Sequence, residues 1–400
     1  MGMSNIPVKT AAAPAAPAAR GLGSTAVLAL GTFAVGTDAY VVAGFLPAMA
    51  DSLRVSEGAA GQSATAFAVA YAVLAPVLAT ATTRIPRRAL LVGALVLLAA
   101  ANLGSALAPS FPVLMATRVL AAFGAAAFTP SAGAVAASLV APAQRGRALA
   151  VVIGGLTVAT ALGVPLGNLA GRLLDWRAAL GLVAALCALC AAGVFAVMPV
   201  LPGGPRVPLR ARLNALRLPG VVAVLPLTVL GLAASYGLYA YAVPILHALG
   251  AEGGAEMWLL FLYGAGAVAG NLAAGAAVDR YGPVRVLAAG YTALAVTLAA
   301  TAWAAGAHVH RLPLAGLLMV AWGAGTWFQT PAQQVRLISA APRETPVVVG
   351  LNASALYLGI ALGTGLGGLL LPVGVPAALA ACAGLAVLSL AYLGLTRRYR

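Results

Sequence analysis

Two ionisable residues stand where an apolar chain seldom tolerates them. Asp38 lies in the middle of FAVGTDAYVVAGFLP (33–47), and Arg118 lies in TRVLAAFGAAA (117–127). Burial in an apolar setting disfavours a charged carboxylate, whereas a nearby guanidinium favours it. The proton occupancy of Asp38 therefore depends on how close Arg118 sits, and a change in that distance would let proton binding bias one conformation over another. Proton movement coupled to a conformational cycle is the chemistry this pair offers. The alternative is a buried ion pair that only ties two helices together.

Other chemistries find little support. There is no Walker loop for ATP drive and no nucleophile–base constellation for an enzyme, and no cofactor is implied. Cys187 and Cys190 spell CxxC with Cys382 left over, yet in Ala/Leu-rich surroundings they read as small apolar packers. His308 and His310 lack a carboxylate neighbour, so no metal site is expected.

The elements that position the pair follow from hydropathy. The chain is 62% hydrophobic and only 8% charged, with a mean hydropathy of +1.00, which is the composition of an integral membrane protein. A hydrocarbon core about 30 Å thick needs about 20 apolar residues per helix. Twelve such runs lie near 24–46, 62–82, 89–108, 112–139, 148–171, 177–198, 219–246, 256–278, 284–305, 312–337, 347–371 and 374–396. A strand barrel would show short alternating segments instead, so the expected fold is an all-α membrane protein of twelve transmembrane helices.

The net charge of +15 is explained by topology. With the N-terminus inside, all but five of the 23 basic residues (Arg54, Arg118, Arg172, Arg177 and Arg311) fall in cytoplasmic segments. That asymmetry places both termini in the cytoplasm and makes the lipid bilayer, rather than nucleic acid, the partner. On this topology Asp38 lies about 12 Å below the outer end of span one. Arg118 lies about 9 Å below the outer end of span four, a matching depth.

The chain divides into a cytoplasmic tail (1–23), a six-helix bundle (24–199), a linker (200–218), a second six-helix bundle (219–396) and a C-terminal tail (397–400). The halves echo each other, since FTPSAGAVAASLVAPAQRGRA (128–148) and FQTPAQQVRLISAAPRETPVV (328–348) share Thr-Pro, Ala-Pro and then Arg. Such a repeat places a binding site at the midplane between halves. Glycine ladders, Gly155, Gly163, Gly167 and Gly171 in span five and Gly359, Gly363 and Gly367 in span eleven, give each of these helices one smooth face. Such a face allows tight packing or sliding during a conformational cycle. The seventh span carries no acid and offers Tyr236, Tyr239 and Tyr241, with Asn271, Trp322, Trp327 and Gln329 further on. Together with Tyr40 and Phe45 these rings and amides suit a small, moderately apolar ligand. A sugar-like cargo would demand more hydrogen-bonding side chains than this reading finds.

The sequence also resembles a known family. GNLAAGAAVDRYGPVRVL (270–287) is similar to the G-x-x-x-D-R-x-G loop signature of the major facilitator superfamily, with Gly275, Asp279, Arg280, Gly282 and Arg285 in register. The first-half counterpart, ATATTRIPRRALL (79–91), keeps Arg84 and Arg88 but has Thr83 where the acid would stand. The fourth-span Arg motif and the fifth-span GGLTVATALGVPLGNLAG (154–171), with Pro165, resemble the drug/proton antiporters, and the opening stretch resembles their chloramphenicol- and sugar-efflux members. The resemblance implies two pseudo-symmetric six-helix bundles in a bacterial inner membrane, working as a monomer. It implies proton-coupled export of a small amphipathic molecule, with Asp279 and its loop as a conformational latch and the span-five glycines as a moving face. The rivals are sugar or nucleoside efflux on the same fold, and a non-transporting sensor or assembly factor.

Overall fold

The computed structural model describes residues 18–141, 144–203, 210 and 214–397. Expectations for residues 1–17 and 398–400, and for much of the linker, fall outside the described residues. The helices of the first half are α1 (Ala18–Val41), α2 (Leu46–Leu53), α3 (Glu57–Ala81), α4 (Arg87–Ala106), α5 (Phe111–Ser138), α6 (Arg145–Leu173) and α7 (Trp176–Val197). Those of the second half are α8 (Pro219–Tyr236), α9 (Ala242–Ala248), α10 (Gly254–Tyr281), α11 (Pro283–Gly306), α12 (Leu312–Trp327), α13 (Gln329–Ala340), α14 (Thr345–Leu370) and α15 (Val375–Thr396). Among the described residues eleven helical segments are long and apolar enough to cross a membrane, and α12 with α13 completes a twelfth crossing. The protein is an all-α, multi-pass membrane protein, and the even number of crossings brings the start of α1 and the end of α15 to one face.

Three expected spans are broken where continuous helices were expected. Span one pauses in a 3₁₀ turn at Val42–Gly44, and span seven pauses at the matching place, Tyr239–Tyr241. Each resumes as a short helix, α2 or α9, at the face opposite the termini. Span ten parts at Phe328, because Pro331 has no N–H to give the Trp327 carbonyl one turn earlier. The matching Thr129-Pro130 lies inside an unbroken α5. The helix α1 also starts at Ala18, inside the segment expected to be tail.

The glycine ladders pack within each half. A side chain on Gly155, Gly167 or Gly171 would strike α1 or the turn after it, at the Ala29 carbonyl, the Val41 carbonyl and Phe45 respectively. In the second half Gly359 and Gly363 press on the Val229 and Ala233 carbonyls of α8, each 2.6 Å from where a Cβ would stand, and Gly367 on the Gly237 carbonyl just beyond it, at 2.7 Å. Spans one and five, and spans seven and eleven, are thus locked backbone to backbone. The halves meet instead through span two against span eleven and span five against span eight. One close approach has a local cause: Pro165 leaves the Ala161 carbonyl without its helical donor, and that carbonyl faces Gly264 of α10.

Candidate functional site

The pair singled out by sequence is in direct contact. Arg118 Nη1 donates to Asp38 Oδ1 at 2.6 Å, and Nη2 donates to the Asp38 backbone carbonyl at 3.2 Å. Both side chains are fully enclosed, with Asp38 at 0% and Arg118 at 1% exposure. The second carboxylate oxygen, Oδ2, and Arg118 Nε have no hydrogen-bond partner among the described residues. A pair this dry is held by its mutual attraction, and one carboxylate oxygen of Asp38 is left unbonded within it.

Aromatic rings connect the pair to a cavity. The Arg118 guanidinium lies over the Phe67 ring, 4.9 Å from its centroid. Phe67 in turn approaches Tyr71 and Tyr357, which stack at 3.7 Å across the two halves. Tyr71 and Tyr357 both line a cavity of about 200 Å³ together with Tyr40, Thr129, Thr160, Asn271, Trp327, Thr330, Gln334 and Asn352. Its wall carries no charged residue among those described. The indole N–H of Trp327 and the hydroxyl of Thr330 are buried without a hydrogen-bond partner among the described residues, so they are available to a guest.

The cavity lies on the termini side of this aromatic layer, and the opposite face is sealed. There Gly58 abuts Gly368, and Tyr241 Oη donates to the Thr364 carbonyl at 3.0 Å and reaches the Gly58 carbonyl at 3.5 Å. Asn168 of α6 donates to Glu256 of α10 at 3.0 Å, joining the halves.

Of the expected ligand contacts, Tyr40, Asn271 and Trp327 line the cavity. The other four serve packing. Phe45 sits against Trp176 with ring centroids 6.4 Å apart. Tyr236 packs edge-on to Tyr239, which stacks on Tyr263 at 4.0 Å. Gln329 is bound by the Tyr291 hydroxyl at 2.9 Å and itself donates to the Thr326 carbonyl at 3.1 Å. Sequence reasoning missed Tyr71, Tyr357, Asn352 and Gln334. Hydropathy marks a helix but not which of its faces meets the cavity, and only the assembled faces of spans two, ten and eleven bring these inward. The expectation of few hydrogen-bonding groups is also corrected, since three amides line this wall.

The expected latch residues lie on the termini side. Asp279, Arg280 and Arg285 are exposed, and Asp279 makes no ion pair among the described residues. Gly282 holds φ +78°, a conformation that favours glycine, between α10 and α11. A side chain at Gly275 would meet open space. In the first half the Arg88 guanidinium stacks on Phe195 at 4.3 Å, and the Arg84 backbone packs against Gly203. Gly163 faces Tyr40, and Pro165 is buried.

Comparison with known proteins agrees with this architecture. The Major Facilitator Superfamily profile matches residues 28–236 and 224–400. The chain is 36% identical to the Chloramphenicol resistance protein of Streptomyces lividans over 347 residues, covering 84% of this chain and 86% of that one. It is 32% identical to the inner membrane transport protein YdhP of Escherichia coli K12 over 368 residues, covering 90% and 93%. Among solved structures it matches a bacterial homolog of the human lysosomal transporter Spinster, in an inward-facing and unoccupied conformation, with a TM-score of 0.77 at 17% identity over 97% and 98% of the two chains. It also matches a D-xylose-proton symporter, with a TM-score of 0.75 at 16% identity over 93% and 97%. A twelve-span chain of two alike halves, with a cavity between them closed off on the side opposite the termini, thus belongs to the major facilitator superfamily and is a membrane transporter rather than an enzyme.

Proposed function

We propose that this chain exports a small, uncharged, aromatic compound, of the chloramphenicol type, in exchange for protons that bind at Asp38. The observation that carries the reading is the buried Asp38–Arg118 pair linked through Phe67 to the cavity rings Tyr71 and Tyr357. Movement of span four or span two on cargo binding would alter the Asp38–Arg118 contact, and alternating access would then exchange proton for cargo. The charge-free wall favours a neutral guest, and the Streptomyces lividans relative lends support for the chemical type. On the positive-inside rule the cavity side and both termini would face the cytoplasm of a bacterial inner membrane, and a monomer would suffice because one chain lines the cavity.

The test is a drug-panel susceptibility screen in an efflux-deficient host, with proton flux measured in vesicles. Wild type should protect against at least one neutral aromatic antibiotic, and Asp38→Asn should abolish both protection and cargo-driven proton movement. Protection that survives in Asp38→Asn with proton movement intact would remove Asp38 from the coupling step. A second reading, sugar or nucleoside efflux, gains weight from Asn271, Gln334 and Asn352 on the wall, and the same screen with radiolabelled sugars decides between the two.

A further inference from the structure

One amide on the cavity wall has its hydrogen-bonding direction fixed from outside the cavity. Arg336 is fully buried on α13, and its guanidinium carries only donors. Nη2 donates to the Thr396 carbonyl at the end of α15, at 3.0 Å, and Nη1 donates to Gln333 Oε1 at 3.3 Å. The Gln333 amide nitrogen is thereby turned the other way, where Nε2 donates to Thr228 Oγ1 of α8 at 3.2 Å and to the Val224 carbonyl at 3.4 Å. Thr228 is 2% exposed, and its hydroxyl has one proton to place. The acceptor it reaches is Asn352 Oδ1 of α14, at 3.0 Å.

An amide whose oxygen is taken in this way presents its nitrogen. Asn352 lines the cavity and is 4% exposed, and its Nδ2 makes no hydrogen bond among the described residues. A lone amide turns either its oxygen or its nitrogen toward a guest. The chain from Arg336 removes that freedom, because each member bonds in one sense only. Backbone packing holds the register, since Gly359 of α14 presses on Val229 of α8, the neighbour of Thr228. Trp327 brings an indole N–H to the same wall, a donor as well.

We propose that Asn352 selects the guest: its Nδ2 donates to a hydrogen-bond acceptor on the cargo, a carbonyl, nitro or ether oxygen, and Gln333 and Thr228 are positioning residues that keep the amide facing this way. The proposal rests on the reading that the cavity takes a neutral aromatic guest, and it names the polar group that guest carries. It is independent of the role of Asp38.

The test is calorimetric binding to the full-length protein in lipid nanodiscs, corrected for uptake by empty nanodiscs. Two neutral aromatic probes are compared: 4-nitroacetophenone, which only accepts hydrogen bonds, and indole, whose N–H only donates. Asn352→Ala should weaken 4-nitroacetophenone about tenfold and leave indole within about threefold. Gln333→Glu should turn the chain over, because a carboxylate accepts from both Arg336 and Thr228; Thr228 Oγ1 then accepts from Asn352 Nδ2, and Oδ1 is left for the cavity. In that variant 4-nitroacetophenone should weaken about tenfold while indole binds more tightly, a reversal that loss of packing does not produce. Thr228→Val, which cuts the chain without adding a charge, should shift the affinity ratio about threefold in the same direction even if the Glu variant folds poorly. No wild-type binding of 4-nitroacetophenone, an unchanged ratio in Asn352→Ala, or an unchanged ratio in both Gln333→Glu and Thr228→Val would each overturn the assignment. Drug protection in the susceptibility screen alongside an unchanged ratio would remove the oriented amide alone, whereas the expected ratios without protection would remove the export reading alone.

Discussion

The two halves solve the same mechanical problem with different chemistry. In the first, span four ties to span one through Arg118, which donates to the side chain and backbone carbonyl of Asp38. In the second, span ten ties to span seven at the matching place through Trp322, whose Nε1–H donates to the Ser235 carbonyl at 2.8 Å. Both donors are buried and both bonds run from the later span to the earlier one. One joint is an ion pair and the other a neutral hydrogen bond, so the repeat fixes the helix pairing while leaving the charged contact to one half.

Breaking the charged joint should have the largest effect. Arg118→Ala leaves a buried carboxylate unpaired and should destabilise the protein by about 3–5 kcal/mol, read as a lowered melting temperature in detergent. Charge-neutral Arg118→Ala/Asp38→Asn should recover part of that loss but no proton movement. Gly167→Ala and Gly363→Ala probe the two ladders, which the comparison predicts to be equivalent. Each should cost about 1–3 kcal/mol through overpacking against a carbonyl, and a large difference in melting temperature between them would show that the halves are not packed alike. Asn271→Ala, in the cavity, should weaken cargo binding about tenfold, close to 1.4 kcal/mol, leaving stability unchanged in the same melt. For transport the smallest effect should come from Trp322→Phe, which trims a buried ring system and loses one hydrogen bond at a stability cost of about 1–3 kcal/mol. Coupled transport should continue in that variant, and its loss would contradict a passive role for the neutral joint.

Much of this was readable from the chain because the bilayer imposes strict lengths and penalties. Apolar runs gave the spans, and the cost of an intramembrane charge singled out Asp38 and Arg118 at matching depth. Spacing of four gave the ladders, though not that they face spans one and seven within a half. The interruptions at Val42–Gly44, Tyr239–Tyr241 and Phe328 were not readable, because a hydropathy window is indifferent to whether a turn is α or 3₁₀. The Thr-Pro pairs show the limit well: Thr129-Pro130 and Thr330-Pro331 look alike, yet only the second parts its helix. Glu256 escaped notice for a related reason. At the end of a span it reads as an ordinary capping acid, and its bond to Asn168 is a property of the assembled halves.

The charge-free wall of the cavity has an electrical consequence. If the cargo is neutral and a proton enters as it leaves, every cycle carries net charge across the membrane. Voltage alone would then contribute about 2.3 kcal/mol per 100 mV for each charge moved. Export should continue in cells whose pH difference has been collapsed while their membrane potential is intact, and it should stop when the potential is lost as well.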